Sequence, residues 1–161
     1  MLFVVVGTQK FQLNRLLKAV DGLVATGRLR EPVFAQIGNS DYIPENYEFE
    51  RFLPPEVFEE KIKQCDVLVT HGGVATIMAG VKNQKPVIVF PRLAAFGEHV
   101  DDHQCEIAEA FAEAGYVCDC READALMGVI EGWRAQDACA YTSGRNAIIA
   151  EIDAFLESDT K

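Results

Sequence analysis

The sequence predicts an α/β fold in which a Rossmann-like parallel sheet carries helices on both faces. Three observations lead to this prediction. Strand-like and helix-like segments alternate about six times along the chain. Most of the strand-like segments are apolar on both faces, which is typical of a buried parallel sheet. The chain has 161 residues and contains no repeat, linker or low-complexity stretch, so we predict one domain over residues 1–161.

Hydrophobic spacing and glycine or proline residues mark the elements of the first half. Residues 2–6 form an apolar, β-branched run that ends at Gly7, as a buried strand does. Leucines and valines recur at helical spacing through residues 13–24, and Gly27 ends this helix. The other predicted elements are strands at residues 32–37 and 47–53, and a helix that opens at Pro54-Pro55 with Val57, Phe58 and Ile62 on one face.

The second half continues the alternation. A strand at residues 66–70 runs directly into His71-Gly72-Gly73, and a helix follows through Val81. Another buried strand at residues 86–90 ends at Pro91. The remaining predicted elements are a helix at residues 101–114, a strand at residues 116–120, and two final helical segments, the last with Ile148, Ile152 and Phe155 on a common face.

The composition argues against several classes of protein. With 25 acidic and 15 basic residues the formal net charge is -10, and because so acidic a surface repels phosphate backbones we expect no nucleic-acid partner. The apolar run at residues 2–6 is far shorter than the roughly 20 residues of a membrane span, and no basic region precedes it as in a signal peptide. We therefore expect a cytoplasmic protein. Five cysteines without a CxxC pair indicate small buried side chains and no disulfide framework.

Two turns are candidates for binding an anion, because ligands of parallel sheets bind beyond the carboxyl ends of the strands. The loop from His71 to Thr76 joins a strand to a helix, and Gly72 and Gly73 allow a ligand to approach the backbone amides of the helix start. Gly7-Thr8-Gln9 forms a similar turn after the first strand. A tight turn with a capping threonine is the structural alternative for the first loop.

Residues 91–104 combine groups that allow three interpretations. Two of the three histidines of the chain and three carboxylates lie between Glu98 and His103. His99 and His103 are four residues apart and could chelate a metal with Asp102 or Glu98. The segment could equally be a solvated helix start, where Asp101 and Asp102 complement the helix dipole. Glu, Asp, His and Gln side chains together also suit the hydroxyls of a sugar.

The order of four motifs adds a family resemblance. These motifs are Phe52-Leu53-Pro54, His71-Gly72-Gly73-x-x-Thr76, Lys85-Pro86 and Glu98-His99-x-Asp101-Asp102-His103-Gln104. Over roughly residues 1–155 the chain resembles the C-terminal, donor-binding half of family 28 glycosyltransferases, which have the GT-B fold. More narrowly, it is similar to the small soluble subunits of split transferases, which include the dolichol-linked N-acetylglucosaminyltransferase subunit and the bacterial exopolysaccharide and capsule subunits of PssE and EpsF type. Residues 3–11 and Gly97-Glu98-His99 favour the bacterial branch.

The resemblance implies a role for each matching position. The diphosphate of a UDP-sugar would bind at Gly7, Thr8, His71, Gly72, Gly73 and Thr76, and the uracil at the Phe52-Leu53 turn. Some relatives hold the ribose with a Glu where this chain has Ala79, so Glu98 is a substitute by chemistry and not by alignment. The donor sugar would meet Asp102, His103 and Gln104, and Arg92 is the basic residue available to a sugar carboxylate.

The implied activity is inverting transfer of a hexose or hexuronic acid from a UDP-sugar to a lipid-diphosphate-linked saccharide, in exopolysaccharide or capsule biosynthesis. No metal or other cofactor is expected, because the amides of the helix start can stabilise the leaving diphosphate. His99 and His103 are candidate bases, although the acceptor and the base would come largely from a membrane-anchored partner of PssD or EpsE type, which supplies the N-terminal half and recruits this subunit to the inner face of the membrane. The alternatives are a non-catalytic UDP-sugar sensor or scaffold, and a metal-dependent hydrolase using His99, Asp102 and His103.

Overall fold

The sheet is parallel throughout and six-stranded, with the strand order β3-β2-β1-β4-β5-β6. The computed structural model describes residues 1–135. Its strands are β1 (Leu2–Val5), β2 (Val33–Gln36), β3 (Glu48–Glu50), β4 (Val67–Thr70), β5 (Val87–Val89) and β6 (Cys118–Asp119). This architecture confirms the predicted α/β class.

Helices cover both faces of the sheet. They are α1 (Asn14–Ala25), α2 (Pro55–Gln64), α3 (Val74–Lys82), α4 (His103–Glu113) and α5 (Leu126–Ala135), with short 3-10 turns at Ala94–Phe96 and Ala123–Ala125. Among residues 1–135, no helix is long and apolar enough to cross a bilayer.

Two apolar layers hold the helices against the sheet, and β1 contributes to both. Its four residues are completely buried and alternate in direction along the strand. Val4 packs with Leu16 of α1 in one layer, whereas Phe3 packs with Ile77 of α3 and Phe111 of α4 in the other. A strand that is apolar on both faces is therefore explained by helices above and below it.

The register aligns the carboxyl ends of the central strands. Val5 pairs with Gln36 of β2 on one side and with Thr70 of β4 on the other. The loops that follow these three strands consequently leave the sheet side by side. They carry Gly7, Gly38 and the His71 turn.

The observed elements are shorter than predicted at several ends. The third strand covers only Glu48–Glu50 instead of residues 47–53, because it is the edge of the sheet and both glutamates point to solvent. Helix α4 begins at His103 and not at residue 101, since the preceding residues form turns. The predicted final helix with Ile148, Ile152 and Phe155 lies outside the described residues. The four cysteines within that range are unpaired.

Candidate functional site

A cleft with a volume of about 610 Å³ opens at the carboxyl edge of the sheet. The ends of β1, β2 and β4 form its floor, and the starts of α2, α3 and α4 form its walls. The structure brings nine of the predicted site residues together around this cleft: Gly7, Thr8, Leu53, His71, Gly72, Gly73, Thr76, His103 and Gln104.

The start of α3 presents backbone amides to the cleft. Gly73 is the N-cap residue and has an extended backbone without a capping side chain. The first helical hydrogen bonds run from the amides of Thr76 and Ile77 to the Gly73 carbonyl, so the amides before them have no acceptor within the helix. The first turn carries no acidic residue. This end of α3 is therefore suited to an anion, as the glycine spacing predicts.

The His71 ring packs between the two glycine turns. Its side chain is 7% exposed, and Nδ1 lies 3.2 Å from Thr70 Oγ1. A Cβ at Gly7 would approach the His71 ring to 2.6 Å, and Gly7 has a φ of +79°, which side chains disfavour. A Cβ at Gly73 would lie 2.3 Å from His71 Nε2. Both turns therefore require glycine to close around this ring.

The environment of His71 keeps the imidazole neutral at pH 7. Burial, with the nearby positive charge of Arg92, lowers the pKa of His71 to about 4. A neutral ring can both donate and accept a hydrogen bond, whereas a charged ring could only donate.

Gln104 connects three loops at the edge of the cleft. Its side chain is 3% exposed, and Oε1 accepts hydrogen bonds from the amides of Gly72 at 3.2 Å and Arg92 at 3.1 Å. Within residues 1–135, its hydrogen bonds are made through Oε1, and the Nε2 amide makes none. Since Gln104 lines the cleft, its amide group is the one left to meet a ligand.

The histidine segment is organised around Asp101. His99 Nδ1 and His103 Nδ1 lie 3.1 Å and 2.5 Å from the same carboxylate oxygen, Asp101 Oδ1. The hydrogen bond with His103 lowers the pKa of Asp101. The His99 ring also packs against the Phe11 ring, with centroids 4.6 Å apart and the ring planes tilted by 45°. Of the two predicted candidate bases only His103 lines the cleft.

The same three residues are the group in the described range that could hold a small cation. Ligand atoms of His99, Asp101 and His103 lie within 4.8 Å of one another. The predicted alternative set used Asp102 instead. Asp102 Oδ1 accepts a hydrogen bond from the Ala94 amide at 2.7 Å and is not paired with either histidine.

Arg92 is not placed where a sugar contact would require it, and this corrects the expectation. Its side chain is fully buried and donates to the backbone carbonyls of Val6, Phe11 and Gln12. Burial lowers its pKa to about 10, although nearby Glu98 opposes the shift. The guanidinium therefore lies beneath the cleft and does not face it.

Glu98 is likewise buried away from the cleft, so the expected ribose contact has no geometric support. It is 1% exposed, and its carboxylate binds Arg15 with two hydrogen bonds of 3.0 and 3.1 Å. It also accepts the Leu93 amide at 2.9 Å. Phe52 also lies outside the cleft lining and is 48% exposed, whereas Leu53 lines the cleft.

The cleft contains residues that sequence reasoning missed. Gln36, at the end of β2, lines it, and its Oε1 accepts the Leu53 amide at 3.1 Å, which fixes the Leu53 turn. Phe58 and Glu59 of α2 also line it. The helical spacing identified Phe58 only as an apolar face residue, and nothing in the local pattern distinguished Glu59 from the neighbouring exposed glutamates.

Comparison with known proteins supports the same family that the motifs indicate. Residues 1–156 match the family described as Glycosyltransferase family 28 C-terminal domain. ALG13 of Saccharomyces cerevisiae, a UDP-N-acetylglucosamine transferase subunit, is 34% identical over 70 residues, which are 44% of this chain and 32% of the yeast protein. ALG13 of Homo sapiens, described in the same words, is 26% identical over 154 residues, which are 88% of this chain and 13% of the human protein. The matches thus span a third or less of these relatives' own length.

Solved structures show the same fold. The glycotransferase of kitacinnamycin superposes with a TM-score of 0.65 and 22% identity, over 87% of this chain and 36% of that chain. The six-stranded parallel sheet with its helices is the fold of a GT-B glycosyltransferase domain. The predicted family is confirmed, and assignment to the bacterial polysaccharide branch stays a prediction.

Proposed function

Because the chain belongs to the glycosyltransferase family 28 C-terminal domain family, we propose that its cleft binds a UDP-sugar and that it is the catalytic, donor-binding subunit of a two-component glycosyltransferase. The observation that carries this proposal is the junction of two glycine turns with the uncapped start of α3. Amides converge there on a space large enough for a nucleotide. The name of the yeast relative, a UDP-N-acetylglucosamine transferase subunit, supports both the donor class and the need for a partner.

The diphosphate binds at the α3 start. Amides after Gly73 donate to its oxygens, and the Thr76 hydroxyl adds a donor in the first helical turn. Gly7 and Thr8 approach from the other turn. Since these donors face the oxygen on which charge develops as the sugar leaves, they stabilise the leaving UDP without a metal or other cofactor.

The uridine binds between the Leu53 turn and α2. Gln36 holds the Leu53 amide, and Phe58 supplies an apolar wall for the base. Some family members bind the ribose with a Glu at the position of Ala79, which here lines the cleft without a polar group. Glu59 is the acidic side chain on the opposite wall. It replaces Glu98 as the residue proposed to accept hydrogen bonds from the ribose hydroxyls.

The sugar lies against the start of α4. The Gln104 amide and the His103 ring both line the cleft and can bind hydroxyl groups. In an inverting transfer the acceptor hydroxyl attacks the anomeric carbon as the bond to the diphosphate breaks, and a base takes the hydroxyl proton. His103 is this chain's candidate for that base, because Asp101 fixes its Nδ1 side, and the partner supplies the other candidates.

The partner completes the enzyme. It is a membrane-anchored subunit of PssD or EpsE type that supplies the N-terminal half of the GT-B enzyme and the lipid-linked saccharide acceptor. The present chain then works at the inner face of the membrane, in exopolysaccharide or capsule synthesis, with a hexose or hexuronic acid as the transferred sugar. No nucleic acid takes part.

Calorimetric titration of the full chain with UDP and several UDP-sugars tests the donor site. Thr76→Ala is expected to weaken every nucleotide about fivefold, whereas Gln104→Ala weakens only the sugar-bearing ligands. The matched controls are Thr26→Ala, at the exposed C-cap of α1, and Gln64→Ala, at the exposed C-terminal end of α2. Equal affinity of all four variants for UDP-sugars would contradict the proposed site.

Transfer to a lipid-linked acceptor, assayed with and without the co-expressed membrane partner, tests the two-component enzyme. Full activity of this chain alone would overturn the need for a partner. UDP-sugar binding with no transfer in the presence of the partner would instead favour a sensor or scaffold.

A further inference from the structure

Arg92 is the largest fully buried side chain in the described range and occupies an unusual position for a charged group. It follows β5 by three residues and extends beneath the loop between β1 and α1, residues 6–13. Nη2 donates to the carbonyls of Val6 and Phe11, the latter at 3.1 Å, and Nε donates to the Gln12 carbonyl at 3.4 Å. One guanidinium thus connects both ends of this loop.

That loop needs external support because it has no helix or strand of its own. It contains Gly7 at φ +79° and carries Gly7, Thr8 and Gln9 into the lining of the cleft. Asn39 Nδ2 donates to the Thr8 and Gln9 carbonyls at 3.3 and 3.0 Å. Arg92 holds the segments on either side of that contact. A planar guanidinium with several fixed donors suits this task better than a lysine ammonium.

In the described part of the chain, Arg92 forms no salt bridge. The neighbouring carboxylate, Glu98, binds Arg15 through both of its oxygens. Within residues 1–135, Nη1 of Arg92 is buried without a hydrogen-bond partner. Beside burial, the positive charge of Arg92 contributes to the lowered pKa of His71, which lines the cleft. A buried cation is costly, so its place behind this loop calls for a function.

We propose that Arg92 is a positioning residue: it holds the loop of residues 6–13 in the shape that presents Gly7 and Thr8 to an anionic ligand, and its charge favours that anion from behind. The ligand part rests on the proposed function, whereas the holding of the loop does not. Arg92 touches no substrate in this account. It acts through the backbone of the loop, which contacts the ligand.

The first test measures how readily the loop of residues 6–13 opens in the absence of a ligand. Trypsin cleavage after exposed Lys10, followed by mass spectrometry, reports opening of the loop, and cleavage after Lys82 reports opening elsewhere. Arg92→Met and Arg92→Lys are each expected to speed cleavage at Lys10 about tenfold without a matching change at Lys82, since neither side chain provides the planar donors. The controls are Arg51→Met, which loses contacts to the adjacent Gly38 loop, and Leu16→Ala, which destabilises the core. An unchanged Lys10 cleavage rate in Arg92→Met would overturn the proposal.

The second test measures the affinity of each variant for anionic ligands. Arg92→Met is expected to weaken UDP and inorganic pyrophosphate about tenfold and uridine less than threefold, with Arg92→Lys in between because it retains the charge. If Arg92→Met lowered the affinities for uridine and UDP equally, the proposed selective effect on phosphate binding would be overturned. If Lys10 cleavage accelerates but the wild-type chain binds neither UDP nor pyrophosphate, the loop-holding role stands and the proposed function fails.

Discussion

The imidazole of His71 lies so close to Gly73 that a Cβ there would be 2.3 Å from its Nε2. Because the same ring also lies against Gly7, it sets how near the start of α3 comes to the turn after β1. His71 is therefore the spacer of the candidate phosphate site, a role that its position in a family motif did not reveal.

Gly73→Ala is expected to destabilise the fold by about 1–3 kcal/mol and to weaken UDP at least tenfold, because the added methyl group displaces the His71 ring. Denaturant unfolding and calorimetry measure the two effects. Gly128→Ala is the matched control, since its Cβ meets nothing within 4 Å in α5, and it should leave UDP binding unchanged. A Gly73→Ala protein with wild-type affinity would contradict the close packing.

The free energy of unfolding is expected to decrease as the pH is lowered, because of His71. Its pKa of about 4 in the folded chain lies below the ordinary histidine value of 6.5, so between these pH values the unfolded chain binds the extra proton. The contribution is complete above about pH 6.5 and is lost between there and about pH 4, by up to about 1.4 kcal/mol per pH unit. Urea unfolding from pH 7.5 to 4.5 should show a steeper loss for the wild type than for His71→Gln. Parallel curves would contradict the buried neutral imidazole.

Glu98→Gln is expected to cost about 3 kcal/mol of folding free energy, because it leaves Arg15 beside a neutral partner in a largely buried site. Thermal unfolding measures the loss. UDP affinity of the folded variant should stay within twofold of the wild type, since Glu98 does not line the cleft. A selective loss of UDP affinity without destabilisation would restore Glu98 as a ribose ligand.

Glu59→Gln is expected to weaken UDP binding without destabilising the fold. Its carboxylate is exposed and makes no ion pair among residues 1–135, so the free energy of unfolding should change by less than about 0.5 kcal/mol. Affinity for UDP should fall about fivefold, because the substitution weakens the proposed hydrogen bonds to the ribose hydroxyls. Affinity for a dideoxyribose analogue of UDP, which lacks these hydroxyls, should not change. Glu60→Gln on the same helix is the control. Equal effects on both nucleotides would exclude the ribose contact.

Removal of divalent metal is expected to leave UDP affinity unchanged. In the proposed site the amides at the start of α3 supply the donors for the diphosphate, so binding should not require the His99, Asp101 and His103 cluster. Titration with UDP after exhaustive treatment with a chelator measures this. A large loss of affinity that Zn²⁺ or Mg²⁺ restores would contradict the metal-free site and support a cation at the histidine cluster.

Local patterns predicted the parts of the fold that depend on local chemistry. The apolar strands β1 and β4 and the glycine turns after them were predictable because a buried parallel strand is apolar on both faces. The short edge strand β3 was overestimated, since its length depends on a single neighbouring strand.

The positions of buried polar groups were not predictable from local patterns. Arg92 stands in a loop rich in polar residues, and its partners Val6, Phe11 and Gln12 lie about 80 positions earlier in the chain. The pairing of Glu98 with Arg15 spans a similar separation. Such contacts follow from tertiary packing, which a motif read along the sequence does not contain.

The central claim is that a nucleotide diphosphate binds at the junction of the two glycine turns, and backbone amide chemical shifts measure it most directly. In the ¹⁵N-labelled chain, addition of UDP is predicted to shift the amides of residues 72–76 and of Gly7 and Thr8 most strongly, with uridine alone shifting mainly Leu53 and its neighbours. Shifts confined to the histidine cluster or to the opposite edge of the sheet, or no shifts at any UDP concentration, would contradict the account.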